Sequence, residues 1–101
     1  MVLMTASVSY SIRPATLDDV TPLGAFLAPF IAQERLLPRT RDELEDLAAD
    51  GFVAISAGRI VGFAALEIYS SKLGEIRSLA VDPAHQGQGI GRALVEACLQ
   101  R

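Results

Sequence analysis

The segment from Val81 to Arg92, Val-Asp-Pro-Ala-His-Gln-Gly-Gln-Gly-Ile-Gly-Arg, constrains this chain more than any other. An apolar run ends at Asp82-Pro83. Glycines then stand at alternate positions (Gly87, Gly89, Gly91), and an amphipathic pattern begins. A strand–glycine loop–helix junction of this kind offers bare backbone N–H groups at the positive end of a helix dipole, which suits a phosphate or pyrophosphate. The missing Cβ lets an anion reach the amides and permits positive φ. The first expectation is therefore a phosphate-bearing ligand.

The rest of the chain limits what could surround that loop. Its 101 residues suffice for one small domain, 1–101, with one core. Half of them are hydrophobic and 21% are charged, a globular composition. A net charge of −3 argues against a nucleic-acid partner, which usually meets a basic face. No apolar run approaches the ~20 residues that span a bilayer, so no membrane partner is expected. Met1 to Ala6 lack a basic stretch followed by a long apolar run, so no secretory signal is read there. Cys98 is alone and cannot form an intrachain disulfide, which fits a reducing compartment. The expected location is the cytoplasm.

Alternation at Val8, Tyr10 and Ile12 predicts a half-buried first strand closed by Pro14. Thr16 with Asp19, and Thr40 with Glu43, form capping boxes that start two helices. The first helix carries Val20, Leu23, Leu27, Phe30 and Ile31, and Pro29 should end or bend it. Residues 32–39 read as a loop. The second helix points Leu44, Leu47 and Ala48 inward, and Asp50-Gly51 marks its end. Phe52–Ser56 and Ile60–Tyr69 read as a central hairpin around the tight turn Ala57-Gly58-Arg59. A turn over Ser70 to Leu73 leads to a last strand, Gly74–Val81. Ile90, Ala93, Leu94, Ala97 and Cys98 then form a helical stripe packed on a sheet. The order β-α-α-β-β-β-α predicts an α/β (α+β) fold, a mixed and mostly antiparallel sheet flanked by helices. The final helix reaches Arg101 without a stop signal, so the chain reads as cut in mid-helix.

Two other glycine motifs fit worse. The dinucleotide fingerprint needs Gly-x-Gly-x-x-Gly in a parallel βαβ unit. A P-loop ends in Gly-Lys-Ser/Thr, where this chain has Gly91-Arg92-Ala93. In contrast, Glu75 to Pro83 followed by Gln86-Gly87-Gln88-Gly89-Ile90-Gly91 resembles the GCN5-related N-acetyltransferases. Their loop after the fourth strand reads Arg/Gln-x-x-Gly-x-Gly/Ala, matched by Gln86, Gly89 and Gly91. Ile12-Arg13-Pro14-Ala15-Thr16 and the hairpin at Arg59 to Phe63 are similar to other parts of the family fold.

The resemblance implies an acyl-CoA N-acyltransferase fold and binding of acetyl-CoA, with no metal. Leu79, Ala80 and Val81 would pair with the pantetheine arm through their backbones, as a strand adds to an edge. Amides of Gln86, Gly87, Gln88, Gly89, Ile90 and Gly91, with Arg92, would hold the pyrophosphate. The acceptor would be a small-molecule amine, deprotonated for attack, and Glu75 would be the base. Leu36 to Leu44, Gly62 to Leu66 and Lys72 to Ile76 look like the acetyltransferase domain of N-acetylglutamate synthases. On that likeness Arg39 would bind a substrate carboxylate, possible acceptors including glutamate. Family members continue into a fifth strand and a fourth helix, so the fourth strand is expected to lie at an edge, and a homodimer could complete the sheet. His85 is expected to pack or cap and Cys98 to be core. Two other readings stay open: a degenerate CoA-binding or scaffolding module, and a protein lysine or N-terminal acetyltransferase.

Overall fold

The computed structural model describes residues 9–70 and 73–100, with side chains described for 9–66 and 78–100. The elements run β1 (Ser11–Pro14), α1 (Val20–Ala32), α2 (Arg41–Ala49), β2 (Gly51–Ser56), β3 (Arg59–Ser70), β4 (Leu73–Val81) and α3 (Ile90–Gln100). The four strands form one sheet in the order β1-β2-β3-β4, and every described pairing is antiparallel. The expected hairpin of β2 and β3 is indeed central, and β4 is an edge of the described sheet. Val8 of the expected first strand, and Ser71 and Lys72 of the expected second turn, lie outside the described residues.

Both capping boxes form. The Thr16 N–H donates to Asp19 Oδ2 at 2.7 Å, opening a short 3-10 turn that runs into α1. Thr40 and Glu43 exchange bonds of 2.9 and 3.2 Å at the start of α2. Hydrogen bonding at Thr40, first its backbone N–H and then its side chain, holds the Glu43 carboxyl below its usual pKa. Thus the first helical turn satisfies donors that would otherwise be orphaned.

Pro29 does not end α1, one of the two effects expected of it. It lies inside the helix, which continues to Ala32. Pro29 is exposed and sits one turn from the helix end, so it removes a single ladder bond there. The true stop lies further on. Arg35 N–H donates to Phe30 C=O at 2.9 Å and Glu34 N–H to Ile31 C=O at 3.0 Å. Glu34 takes φ 58°, so this is a Schellman ending with glutamate in the left-handed position where glycine is usual. Gly51 likewise opens β2 and is not part of the end of α2.

Two cores cover the two faces of the sheet. On one, Val53, Phe63, Ala65 and Ala80 meet Val20, Leu23, Leu27 and Phe30 of α1 and Ala48 of α2. On the other, Ala54, Val61 and Ala64 meet Ile90, Leu94 and Cys98 of α3. Cys98 is therefore core, as its stripe implied. The β2–β3 turn has Ala57 at φ 51° and Gly58 at φ 75°, the positive pair that matches strand twist in a two-residue hairpin. The β2–β3 register shifts beside Ala54, so Val61 and Gly62 both turn toward α3. Gly62 permits that approach: a Cβ there would stand 2.9 Å from Leu94 Cδ1 and 3.0 Å from Ile90 Cγ2. No helix among the described residues is long and apolar enough to cross a membrane.

Candidate active site at the edge strand and glycine loop

Strand β4 delivers the chain into the loop at Asp82. The Asp82 side chain accepts from Ala84 N–H at 3.0 Å, and His85 N–H donates to Asp82 C=O at 2.8 Å, closing a tight turn. Gln86 reaches back, its Nε2 donating to Val81 C=O at 3.3 Å. Gly87 and Gly89 both take φ 82°, which a side chain would strain. Gly91 does not, and a Cβ there would make ordinary contact with Val81 at 3.6 Å. Ala93 N–H donates to Gly89 C=O at 3.0 Å, so α3 begins directly at the loop.

The pairing of β4 decides which backbone groups are available. Asp82 N–H donates to Val61 C=O at 2.8 Å, next to the opposed pair Gly62 and Val81. Alternation of an antiparallel ladder then engages the N–H and C=O of Ala80 with Phe63 and turns those of Leu79 and Val81 outward. Of the three residues expected to pair with a ligand by backbone, two therefore face the open edge. Ala80 faces its neighbour, and its side chain is buried under α1 and α2.

One cleft of about 400 Å³ collects Leu79, Ala80, Val81, Gln86, Gly87, Gly89, Ile90, Gly91 and Arg92. Gln88 is exposed and is not part of its lining. Ile90 can contribute only its backbone, because its side chain is in the core. Arg92 Nε is engaged by Glu96 Oε1 at 3.0 Å, one turn along α3. His85 and Arg35 also line the cleft. His85, expected to pack or cap, is half-buried in the turn after β4. Its Nδ1 is buried without a hydrogen-bond partner and lies 3.5 Å from Asp82 Oδ2. Arg35 carries no local signal, since its loop meets β4 only through the tertiary fold.

Glu75 and Arg39 are not in this lining. Glu75 stands in β4 opposite Glu67, and its side chain lies outside the described residues, as does that of Tyr69. Along the strand it is four residues from Leu79, roughly 13 Å. Arg39 is half-buried in a separate polar cleft of about 230 Å³, with Glu43, Asp46, Asp50, Leu47, Ala65 and Leu66. A larger cleft of about 800 Å³ runs along α1, lined by Phe26, Phe30, Ile55, Ile60 and others, with Arg13, Arg35 and Arg59 at its polar margin. Among the described residues no group of three His, Cys, Asp or Glu side chains is placed to hold a metal ion.

An edge strand with outward amides leads into a bare-backbone loop at a helix start, an arrangement that suits an anion carried on an extended arm. Residues 17–101 match the family model described as the Acetyltransferase (GNAT) family, and the chain belongs to that family. An uncharacterised N-acetyltransferase of Chlorobaculum tepidum is 35% identical over 85 residues, covering 84% of this chain and 55% of that protein. An amino-acid acetyltransferase of Ralstonia nicotianae is 40% identical over 86 residues, 84% of this chain but 19% of that protein. The chain thus spans about half the length of the first and under a quarter of the second. The structure of N-acetylglutamate synthase from Neisseria gonorrhoeae, complexed with coenzyme A and N-acetyl-glutamate, superposes with a TM-score of 0.82 at 32% identity. That match covers 93% of this chain and 22% of the synthase. A Mycobacterium tuberculosis protein in complex with CoA superposes with a TM-score of 0.78 at 36% identity, over 89% of this chain and 55% of the other.

Proposed function

We propose that this chain binds acetyl-CoA and serves N-acetyl transfer to the primary amine of a small molecule, an amino acid such as glutamate. The observation that carries this reading is the convergence of the outward groups of Leu79 and the outward N–H of Val81, whose C=O accepts from Gln86, with the glycine-loop amides in one cleft. The fit is chemical. Outward N–H and C=O groups on an edge suit the amides of a pantetheine arm. Amides from Gln86 to Gly91 at the start of α3 suit a diphosphate.

When bound, acetyl-CoA supplies the thioester, and the reaction exchanges its C–S bond for an amide C–N bond. The acceptor ammonium must first lose a proton. Glu75 is our assignment for that base, supported by its position in β4 upstream of Leu79. The thiolate released must regain a proton, for which the described residues nominate no donor. Arg39, beside Glu43, Asp46 and Asp50, supports an amino-acid acceptor: guanidinium suits a carboxylate and carboxylates suit an ammonium. A cytoplasmic setting and a homodimer belong to the same reading, the first supported by the single cysteine.

The test is calorimetry with CoA, followed by thiol release from acetyl-CoA across a panel of amines that includes L-glutamate. Micromolar CoA binding and amine-dependent thiol release, with a loss of ~100-fold or more in Glu75→Gln, are expected. CoA binding without turnover on any amine would favour a binding module, and no CoA binding would overturn the reading.

A further inference from the structure

We propose that Arg35 is a phosphate-binding residue, closing on the diphosphate of CoA from the α1 side of the cleft. This rests on the acetyl-CoA reading above. Arg35 lines the same cleft as Gln86, Gly87, Gly89 and Gly91, although it comes from the loop after α1. Its backbone is fixed by the bond from its N–H to Phe30 C=O at 2.9 Å and by the left-handed turn at Glu34. Its guanidinium stands 5.3 Å from the centroid of the Phe30 ring, which is itself 6% exposed and part of the core. The cation therefore rests on a rigid platform.

The charge balance of the neighbourhood points the same way. Arg92, the other arginine lining this cleft, is paired with Glu96 at 3.0 Å. Among the described residues Arg35 has no carboxylate partner, so it is the arginine of the cleft whose charge is not already neutralised. A guanidinium presents several N–H donors to phosphate oxygens at once, whereas the loop amides are fixed and neutral. Together they form two walls of different chemistry around one anion. Arg35 also lines the larger cleft along α1, and so stands where the two clefts meet.

The experiment compares wild type, Arg35→Ala, Arg35→Gln and Arg35→Lys by calorimetry with CoA and 3′-dephospho-CoA, and by displacement with pantetheine, with thermal melts as a folding check. Arg35→Ala is expected to lose ~10- to 100-fold in affinity for CoA and 3′-dephospho-CoA alike, to keep its affinity for pantetheine, and to be partly rescued in Arg35→Lys. Arg35→Gln keeps much of the side-chain bulk and replaces Arg35→Ala if that variant melts early. An equal loss for pantetheine would assign Arg35 to packing on Phe30 and overturn the proposal. So would unchanged CoA binding, or a loss confined to CoA and absent with 3′-dephospho-CoA. Failure of wild type to bind CoA would overturn the acetyl-CoA reading itself, a result distinct from failure at Arg35 alone.

Discussion

Arg13 and Asp19 form a two-pronged ion pair, with Nη1 donating to Oδ2 at 2.7 Å and Nη2 to Oδ1 at 2.8 Å. It ties β1 to the turn that starts α1. The Arg13 hydrogen bonds lower the Asp19 pKa from 3.8 to about 2, against the opposing effect of burial and with help from Thr16. The folded pKa is depressed, so the stabilisation is complete above pH ~4 and is lost as pH falls from ~4 through 2. Allowing for the exposed arginine, the pair is worth roughly 1–2 kcal/mol. Asp19→Asn should lower the urea midpoint accordingly at pH 7, and the gap from wild type should shrink steadily as pH falls from ~4 towards 2. An undiminished gap at pH 2 would show that the carboxylate charge is not what stabilises this junction.

Gly62 is expected to be intolerant of even a methyl group. An added Cβ meets Leu94, Ile90 and, at 3.3 Å, Ala54, all of them core atoms with little room to move. Gly62→Ala should cost about 1–3 kcal/mol through overpacking between α3 and the sheet. Denaturant titration checks this, and an unchanged midpoint would mean that α3 can shift outward freely.

At Glu34 the expectation reverses. A glutamate at φ 58° carries a steric cost that glycine does not. Glu34→Gly should stabilise the chain by about 0.5–1 kcal/mol, a rise in Tm of several degrees. A lower Tm would show that the flexibility gained by the unfolded chain outweighs the relieved turn.

The loop glycines should separate into two kinds. Gly87→Ala and Gly89→Ala place a Cβ at φ 82° and should weaken CoA binding by distorting the loop. Gly91→Ala has ordinary packing space inside α3 and should raise stability by ~0.5 kcal/mol or more with CoA affinity nearly kept. Calorimetry and melts on the three variants check both halves of this contrast.

What could be read in the sequence was what short-range rules decide. Thr16 with Asp19, Thr40 with Glu43, the Ala57-Gly58 turn and the Ile90–Cys98 stripe each depend on residues a few positions apart, and each formed. Pro29 does not stop α1 because a proline near a helix end, on an exposed face, costs one bond and not the helix. The real stop was hidden because glutamate occupies a glycine position. The bulge at Val61 and Gly62 was invisible in a continuous apolar run, where no alternation reveals a change of phase. The glycine loop and its strand were legible as a unit. Arg35 was not, since only the packing of α1 brings its loop to that cleft.

The β4 edge of the described sheet has a consequence for how this 101-residue chain should be handled in solution. The outward groups of Leu79 and the outward N–H of Val81 offer the same hydrogen-bonding row to any extended backbone that arrives. A small ligand and a second polypeptide are thus rivals for one surface, and mass action decides between them. Saturating the edge with ligand withdraws it from strand exchange, so colloidal behaviour becomes a readout of occupancy. Light scattering at rising ligand concentration would trace a binding curve even when no reaction is followed.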